Sequence, residues 1–153
     1  MNIGVISDTH NYLDSKIHRL FSGVSHILHA GDIGNLTIIS ELEEIAPVTA
    51  VYGNTDVQLP FKETEIVTLA SIKFLIHHIV NPLELSERVS EQIKREQPRV
   101  VVFGHSHKRY CGTIGGIFYF NPGYAGKPKL NLHREAAILH CIDNEIRPEF
   151  LAL

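Results

Sequence analysis

The stretch VVVFGHSH, residues 100–107, sets four apolar residues, three of them β-branched, directly before two histidines one residue apart. Such a run reads as a strand buried on both faces. Imidazoles fill cores poorly, so the pair that follows asks for another role. Just upstream, Leu85, Val89 and Ile93 mark a helix entered at Pro82 and ended before Pro98. Before that, residues 65–69 and 72–78, split by Ala70 and Ser71, predict a hairpin. Further towards the start, strands are predicted over residues 1–7, 25–30 and 48–52. Between them lie a helix over 14–22, carrying Ile17, Leu20 and Phe21, and one striped by Leu36, Ile39, Leu42 and Ala46 that Pro47 stops. This alternation implies parallel strands with right-handed crossovers. Downstream no helix fits. Strands are expected over 110–114, 117–120, 136–142 and 146–150, with turns at Gly115-Gly116 and Asp143-Asn144, giving an antiparallel second half. The expected class is α/β, two packed sheets with helices outside, in one domain over residues 1–153.

Composition narrows the function. The chain is 44% hydrophobic and 20% charged, and no apolar run approaches the roughly 20 residues of a membrane span. The start, MNIGVISDTH, lacks the basic flank and cleavage site of a signal peptide, which makes the cytoplasm the expected location. Cys111 and Cys141 are too few for a disulfide framework. A formal charge of -3 argues against a long nucleic-acid track. A homo-oligomer through Phe61 and the strand edges is compatible with the sequence.

Every polar cluster follows an apolar strand. Asp8 and His10 come after VIS, Gly31 and Asp32 after ILHA, and Gly53, Asn54 and Asp56 after TAVY. His77 and His78 end FLI, His105 and His107 follow VVVF, and Asn121-Pro122-Gly123 closes FYF. The carboxyl ends of parallel strands face one crevice, so residues far apart in sequence can meet there. In extended backbone the i, i+2 pairs Asp8/His10 and His105/His107 would each point to one side and chelate. Carboxylate, imidazole and amide oxygen suit Mn, Fe, Co, Ni or Zn better than Mg or Ca. Asp8, His10, Asp32, Asn54, His78, His105 and His107 are too many for one tetrahedral ion and suit two. Strand register assigns His78 rather than His77 to the set, with His77 the alternative.

Asp-x-His, Gly-Asp, Gly-Asn-x-Asp, a strand-end histidine and Gly-His-x-His, in this order over residues 8–107, resemble the calcineurin-like metallophosphoesterases. The likeness is to their short prokaryotic phosphodiesterase branch, which includes the metal-poor retromer subunit; residues 28–32 and 120–123 extend it. The resemblance implies a four-layer αββα sandwich of two mixed sheets, with a dinuclear centre at the strand ends. One ion would take Asp8, His10, Asp32 and His107, and the other Asp32 as bridge with Asn54, His78 and His105. Manganese would be the foremost metal. The implied activity is hydrolysis of a small phosphate diester by a bridging hydroxide, with Asp32, Asn54 and His78 carrying the catalysis. Asn54 would also donate its NH₂ to a phosphate oxygen, beside Thr55 and His29 on the substrate side, His29 alternatively orienting a ligand. Tyr12, Lys108, Arg109 and Tyr124 are further candidates for substrate contact. Many members carry a leaving-group histidine where this chain has Thr55, so the usual acid is missing. The alternative implied by the same resemblance is a non-catalytic protein-interaction scaffold.

Overall fold

Residues 1–143 and 145–153 are described by a computed structural model of the chain; Asn144 of the expected final turn lies outside them. The alternation predicted for the first third is present. β1 (Asn2–Ile6), β2 (His26–His29) and β3 (Val48–Ala50) are parallel neighbours, linked by α1 (Lys16–Leu20) and α2 (Leu36–Glu43). Asn35 caps α2, its side chain accepting from the Thr37 N–H at 2.9 Å. β4 (Thr64–Leu69) and β5 (Ile72–His77) form the expected hairpin around Ala70 and Ser71. Both turn residues have positive φ, the twist a two-residue hairpin requires.

α3 (Glu87–Glu96) begins later than Pro82, because Ser86 accepts from the Val89 N–H and starts the helix there. It is followed by β6 (Val100–Val102), β7 (Tyr110–Ile114), β8 (Ile117–Asn121), β9 (Glu135–Ile142) and β10 (Glu145–Ala152). The second half is not simply antiparallel. The sheets run β10-β9-β1-β2-β3 and β4-β5-β6-β8-β7, with β6 parallel to both neighbours, β5 and β8. β7 is displaced to an edge by its hairpin with β8, and β9 returns to pair antiparallel with β1. Both sheets are therefore mixed.

Alternation along the strands builds four layers. Ile3, Val5 and Leu28 of the first sheet meet Phe74, Ile76, Val100, Val102 and Phe120 of the second in the central layer of side chains. On the outer face of the first sheet, Ile17 and Phe21 from the α1 segment and Ile38, Ile39 and Leu42 of α2 cover Ile6, Ile27 and Ile138. On the outer face of the second, Leu85 and Ile93 pack with Leu75, Val101 and Tyr119. β6 is thus buried on both faces: Val100 and Val102 point inward, Val101 outward. This is the αββα sandwich. Phe61 packs half-buried against the α2-side cluster. No helix of the described residues is long and apolar enough to cross a membrane.

Candidate metal centre

The loops after β1, β2, β3, β5 and β6 gather at one end of the sandwich. The β1 and β2 loops are laced together: the N–H groups of Asp8, His10 and Asn11 donate to the carbonyls of Gly31, Asp32 and Ile33 at 2.9–3.0 Å. Asp56 ties in the β3 loop, its carboxylate accepting from Ile33, Gly34 and Gly53 N–H groups. Asn121, at the end of β8, holds the β6 loop by donating to the Gly104 carbonyl at 2.8 Å. Close packing of these loops explains two glycines. A Cβ on Gly53 would strike Asp32, and one on Gly104 would strike the Ser7 hydroxyl and crowd Asp8 Oδ2.

Within this frame Asp8 is fully buried and Asp32 nearly so. Asp8 Oδ2 accepts from the Ser7 hydroxyl at 2.6 Å and the His105 N–H at 3.1 Å. Its other oxygen, Oδ1, has no hydrogen-bond partner and faces His107 Nε2 at 3.2 Å and His10 Nε2 at 4.0 Å. Asp32 Oδ1 accepts from the Thr55 N–H at 2.9 Å, while Oδ2 lies 3.4 Å from His78 Nε2 and 3.7 Å from His10 Nε2. His78 donates from Nδ1 to the Ala30 carbonyl at 2.7 Å, since a carbonyl can only accept. That bond aims Nε2 into the cluster, where its approach to Asp32 is misaligned for a hydrogen bond and Nε2 is left without a partner. His77 points elsewhere, its Nδ1 against the Thr64 hydroxyl at 2.8 Å. The choice between the two histidines thus falls on His78.

Burial pushes the Asp32 carboxyl up, but His78 and the Thr55 N–H outweigh it and hold the group below the usual carboxylate range. His78 is the mirror case. Burial pushes it down, while Asp32, Asp8 and the Ala30 carbonyl raise it on balance. Two sets of ligand atoms lie within 4.8 Å of one another: Asp8, His10 and His107, and Asp8, Asp32 and His78. Asp8 is common to both, and Asp32, expected to be the sole shared carboxylate, also reaches histidines of both sets. The donors fit a cation. Buried polar atoms normally have partners, and here an unpartnered carboxylate oxygen and an unpartnered imidazole nitrogen converge with two further imidazoles.

The extended-pair geometry expected for Asp8/His10 and His105/His107 is not what forms. All four residues, and Asp32, have φ between 46° and 65°. Left-handed backbone at non-glycine residues costs about 1–3 kcal/mol each and is concentrated at functional sites. Its effect is to split the second pair. The His105 ring lies 5.4 Å from His78, and the His107 ring 5.6 Å from His10. Asn54 is exposed and lines a hollow of about 120 Å³ beside His78. Thr55 turns its hydroxyl towards His10 Nδ1, 3.5 Å away.

His29 does not reach a substrate, as its placement on the substrate side required. It is wholly buried, bonded through Nε2 to the Thr9 hydroxyl at 2.9 Å and accepting at Nδ1 from the Gly31 N–H. Thr9 donates to the Ile33 carbonyl, so His29 supports both ligand-bearing loops as a neutral ring. Tyr124, also fully buried, has no exposed surface to offer a substrate; its ring lies 4.8 Å from that of His107, and its hydroxyl donates to the Lys127 carbonyl. Ser7 thus shapes the site without a spacing pattern to announce it, whereas Asp56 stands in the Gly-Asn-x-Asp motif and Asn121-Pro-Gly signals a turn.

Burial pushes His29 down to about 4. An unfolded histidine titrates near 6.5, so between these values the unfolded chain binds the extra proton. The stability this ring contributes is complete above pH 6.5 and is lost as pH falls through 5 to 4, by up to about 3 kcal/mol. Denaturant titrations of the metal-free protein at pH 7 and pH 4.5, beside His29→Gln, are expected to show a shallower loss in the variant.

Residues 1–144 match the model of the calcineurin-like phosphoesterase superfamily domain. A probable metallophosphoesterase of Methanocaldococcus jannaschii is 34% identical over 86% of this chain and 72% of its own length. A phosphodiesterase of the same organism is 31% identical over 80% of this chain and 83% of its own. Among solved structures, an archaeal phosphodiesterase superposes with a TM-score of 0.79 at 27% identity, covering 99% of this chain and 100% of that one. A Vps29 from Entamoeba histolytica shares the fold with a TM-score of 0.77 at 19% identity, covering 100% and 99%. By sequence as well as by fold, the chain belongs to the calcineurin-like phosphoesterase superfamily.

Proposed function

We propose that the protein is a metal-dependent phosphodiesterase acting on a small phosphate diester. The observation that carries this reading is the pair of buried, unpartnered atoms, Asp8 Oδ1 and His78 Nε2, aimed into one space with His10 and His107. Asp8, His10, Asp32 and His107 would hold one divalent ion, and Asp32, Asn54, His78 and His105 a second. Mn is favoured, with Fe, Co, Ni and Zn suited to the same donors. Such ions supply Lewis acidity that makes water a nucleophile at neutral pH and offsets charge on the phosphate oxygens.

The chain's own groups do the positioning. The Ser7 hydroxyl and His105 N–H fix Asp8, the Thr55 N–H fixes Asp32, and the Ala30 carbonyl fixes His78 in one tautomer. Asn54, exposed at the rim, can donate its NH₂ to a phosphate oxygen. Thr55 cannot replace an imidazole as proton donor, since a hydroxyl does not titrate near neutrality. Esters of acidic alcohols are therefore expected to react at least about 100-fold faster than simple alkyl esters, the range a missing general acid costs.

Hydrolysis of bis(p-nitrophenyl) phosphate and of a dialkyl phosphate, each with Mn²⁺ added, tests both statements. Equal rates on the two would remove the argument from Thr55. No hydrolysis of either by fully metal-loaded protein would overturn the phosphodiesterase reading in favour of an interaction scaffold, the use compatible with the Vps29 likeness.

A further inference from the structure

The loop that carries His105 and His107 separates two hollows of different character. On the His107 side, about 320 Å³ is lined by polar groups that include Asn131, His133 and Glu135. On the His105 side, about 490 Å³ opens between Val80, Leu83, Phe103 and Tyr110. The Phe103 and Tyr110 rings meet at a tilt, their centroids 5.9 Å apart, and Leu83 is 87% exposed at the mouth. An apolar cavity of this size, with a few polar groups at one end, is what a small organic ligand occupies. Lys108 and Arg109 belong to both hollows. Arg109 is engaged by Glu135 at 3.2 Å, whereas Lys108 is exposed and forms no ion pair among the described residues.

We infer that the hollow beside His105 receives an aromatic or similarly bulky apolar alcohol arm of the diester, its phosphate lying towards His105 and Lys108. The inference rests on the proposed phosphodiesterase reading and adds to it a substrate class. Continuity supplies the argument: His105, expected at the metals, is itself a wall of the hollow. A phosphate held there projects one ester arm onto Leu83 and Tyr110, and an apolar arm gains by leaving water where a small polar one does not.

Two monoanionic probes differing only in that arm test the inference: the methyl esters of methylphosphonic acid and of 2-naphthylmethylphosphonic acid, whose arms are joined by uncleavable P–C bonds. In competition with bis(p-nitrophenyl) phosphate on the Mn²⁺-loaded protein, the naphthyl probe is expected to inhibit at least about tenfold more tightly, the preference that burying one aromatic surface produces. Leu83→Ser and Tyr110→Ala are expected to reduce that ratio to about threefold or less. With diamagnetic Zn²⁺ in place of Mn²⁺, the naphthyl probe should shift the backbone amide resonances of Leu83 and Tyr110. Equal inhibition by the two probes, a ratio unchanged in both variants, or shifts confined to residues 131–135 would overturn it. If nothing is hydrolysed, the catalytic reading fails by itself and the Zn²⁺ titration still decides whether the hollow takes the arm.

Discussion

Asp32→Asn is expected to lower hydrolysis of an aryl phosphodiester by about a thousandfold or more, some 4 kcal/mol of transition-state stabilisation. The substitution keeps an oxygen for the Thr55 N–H but removes the charge that lies 3.4 Å from His78 and 3.7 Å from His10. Asp8 belongs to both ligand sets found among the described residues, but its second oxygen is already committed to Ser7 and His105. The measurement is kcat/KM with saturating Mn²⁺ together with metal content after dialysis. An unchanged circular dichroism spectrum would show the fold intact. A variant that keeps more than about a tenth of the activity would remove Asp32 from the centre of the mechanism, because a carboxylate that holds a catalytic cation would be worth far more than tenfold.

The second large effect is on stability. Asp8 Oδ1 and His78 Nε2 lose hydration on folding and gain no hydrogen bond in return, a cost of about 1–3 kcal/mol for each such group. A cation that meets both converts this cost into binding energy. At a Mn²⁺ concentration 1,000 times its dissociation constant, linkage gives about 4 kcal/mol, which for a chain of this length is a rise in Tm of about 8–16 °C. Calorimetry with Mn²⁺, with EDTA and with Ca²⁺ checks it. The rise should vanish with EDTA, be smaller with Ca²⁺ and be largely absent in Asp8→Asn. A Tm indifferent to millimolar Mn²⁺ would mean that these atoms are not metal ligands.

Much of this arrangement is legible in the sequence because strand ends are. Val100 to Val102 declare themselves by a β-branched run and the other strands before the site by short apolar runs, and the polar residues after each must emerge where the parallel strands finish. What periodicity does not carry is pairing between strands distant in sequence. The parallel contact of β6 with β8, made past β7, has no local signature, nor does the return of β9 to β1. Within the site, residue types were readable and backbone conformation was not. Extended spacing put His105 and His107 on one side, whereas positive φ at both sends them to different neighbours. His29 shows the same gap: its position before Gly31-Asp32 left open whether it meets substrate or supports a ligand, and its full burial against Thr9 leaves only the support. The hydrogen bond from His78 to Ala30, by contrast, crosses between sheets, so strand register could favour His78 over His77 but not display why.

Asp8, His10, Asp32 and Asn54 follow strands of one sheet, while His78, His105 and His107 follow strands of the other. The molecule is therefore built like a pair of calipers, with the jaws at the rim and the hinge in the hydrophobic layer shared by Leu28, Phe74 and Phe120. A fraction of an ångström of slippage between the two slabs would open or shut the jaws without altering any residue they hold. Selection on chemistry at the rim thus reaches deep into the interior, and interior substitutions that leave the fold standing can still detune the instrument.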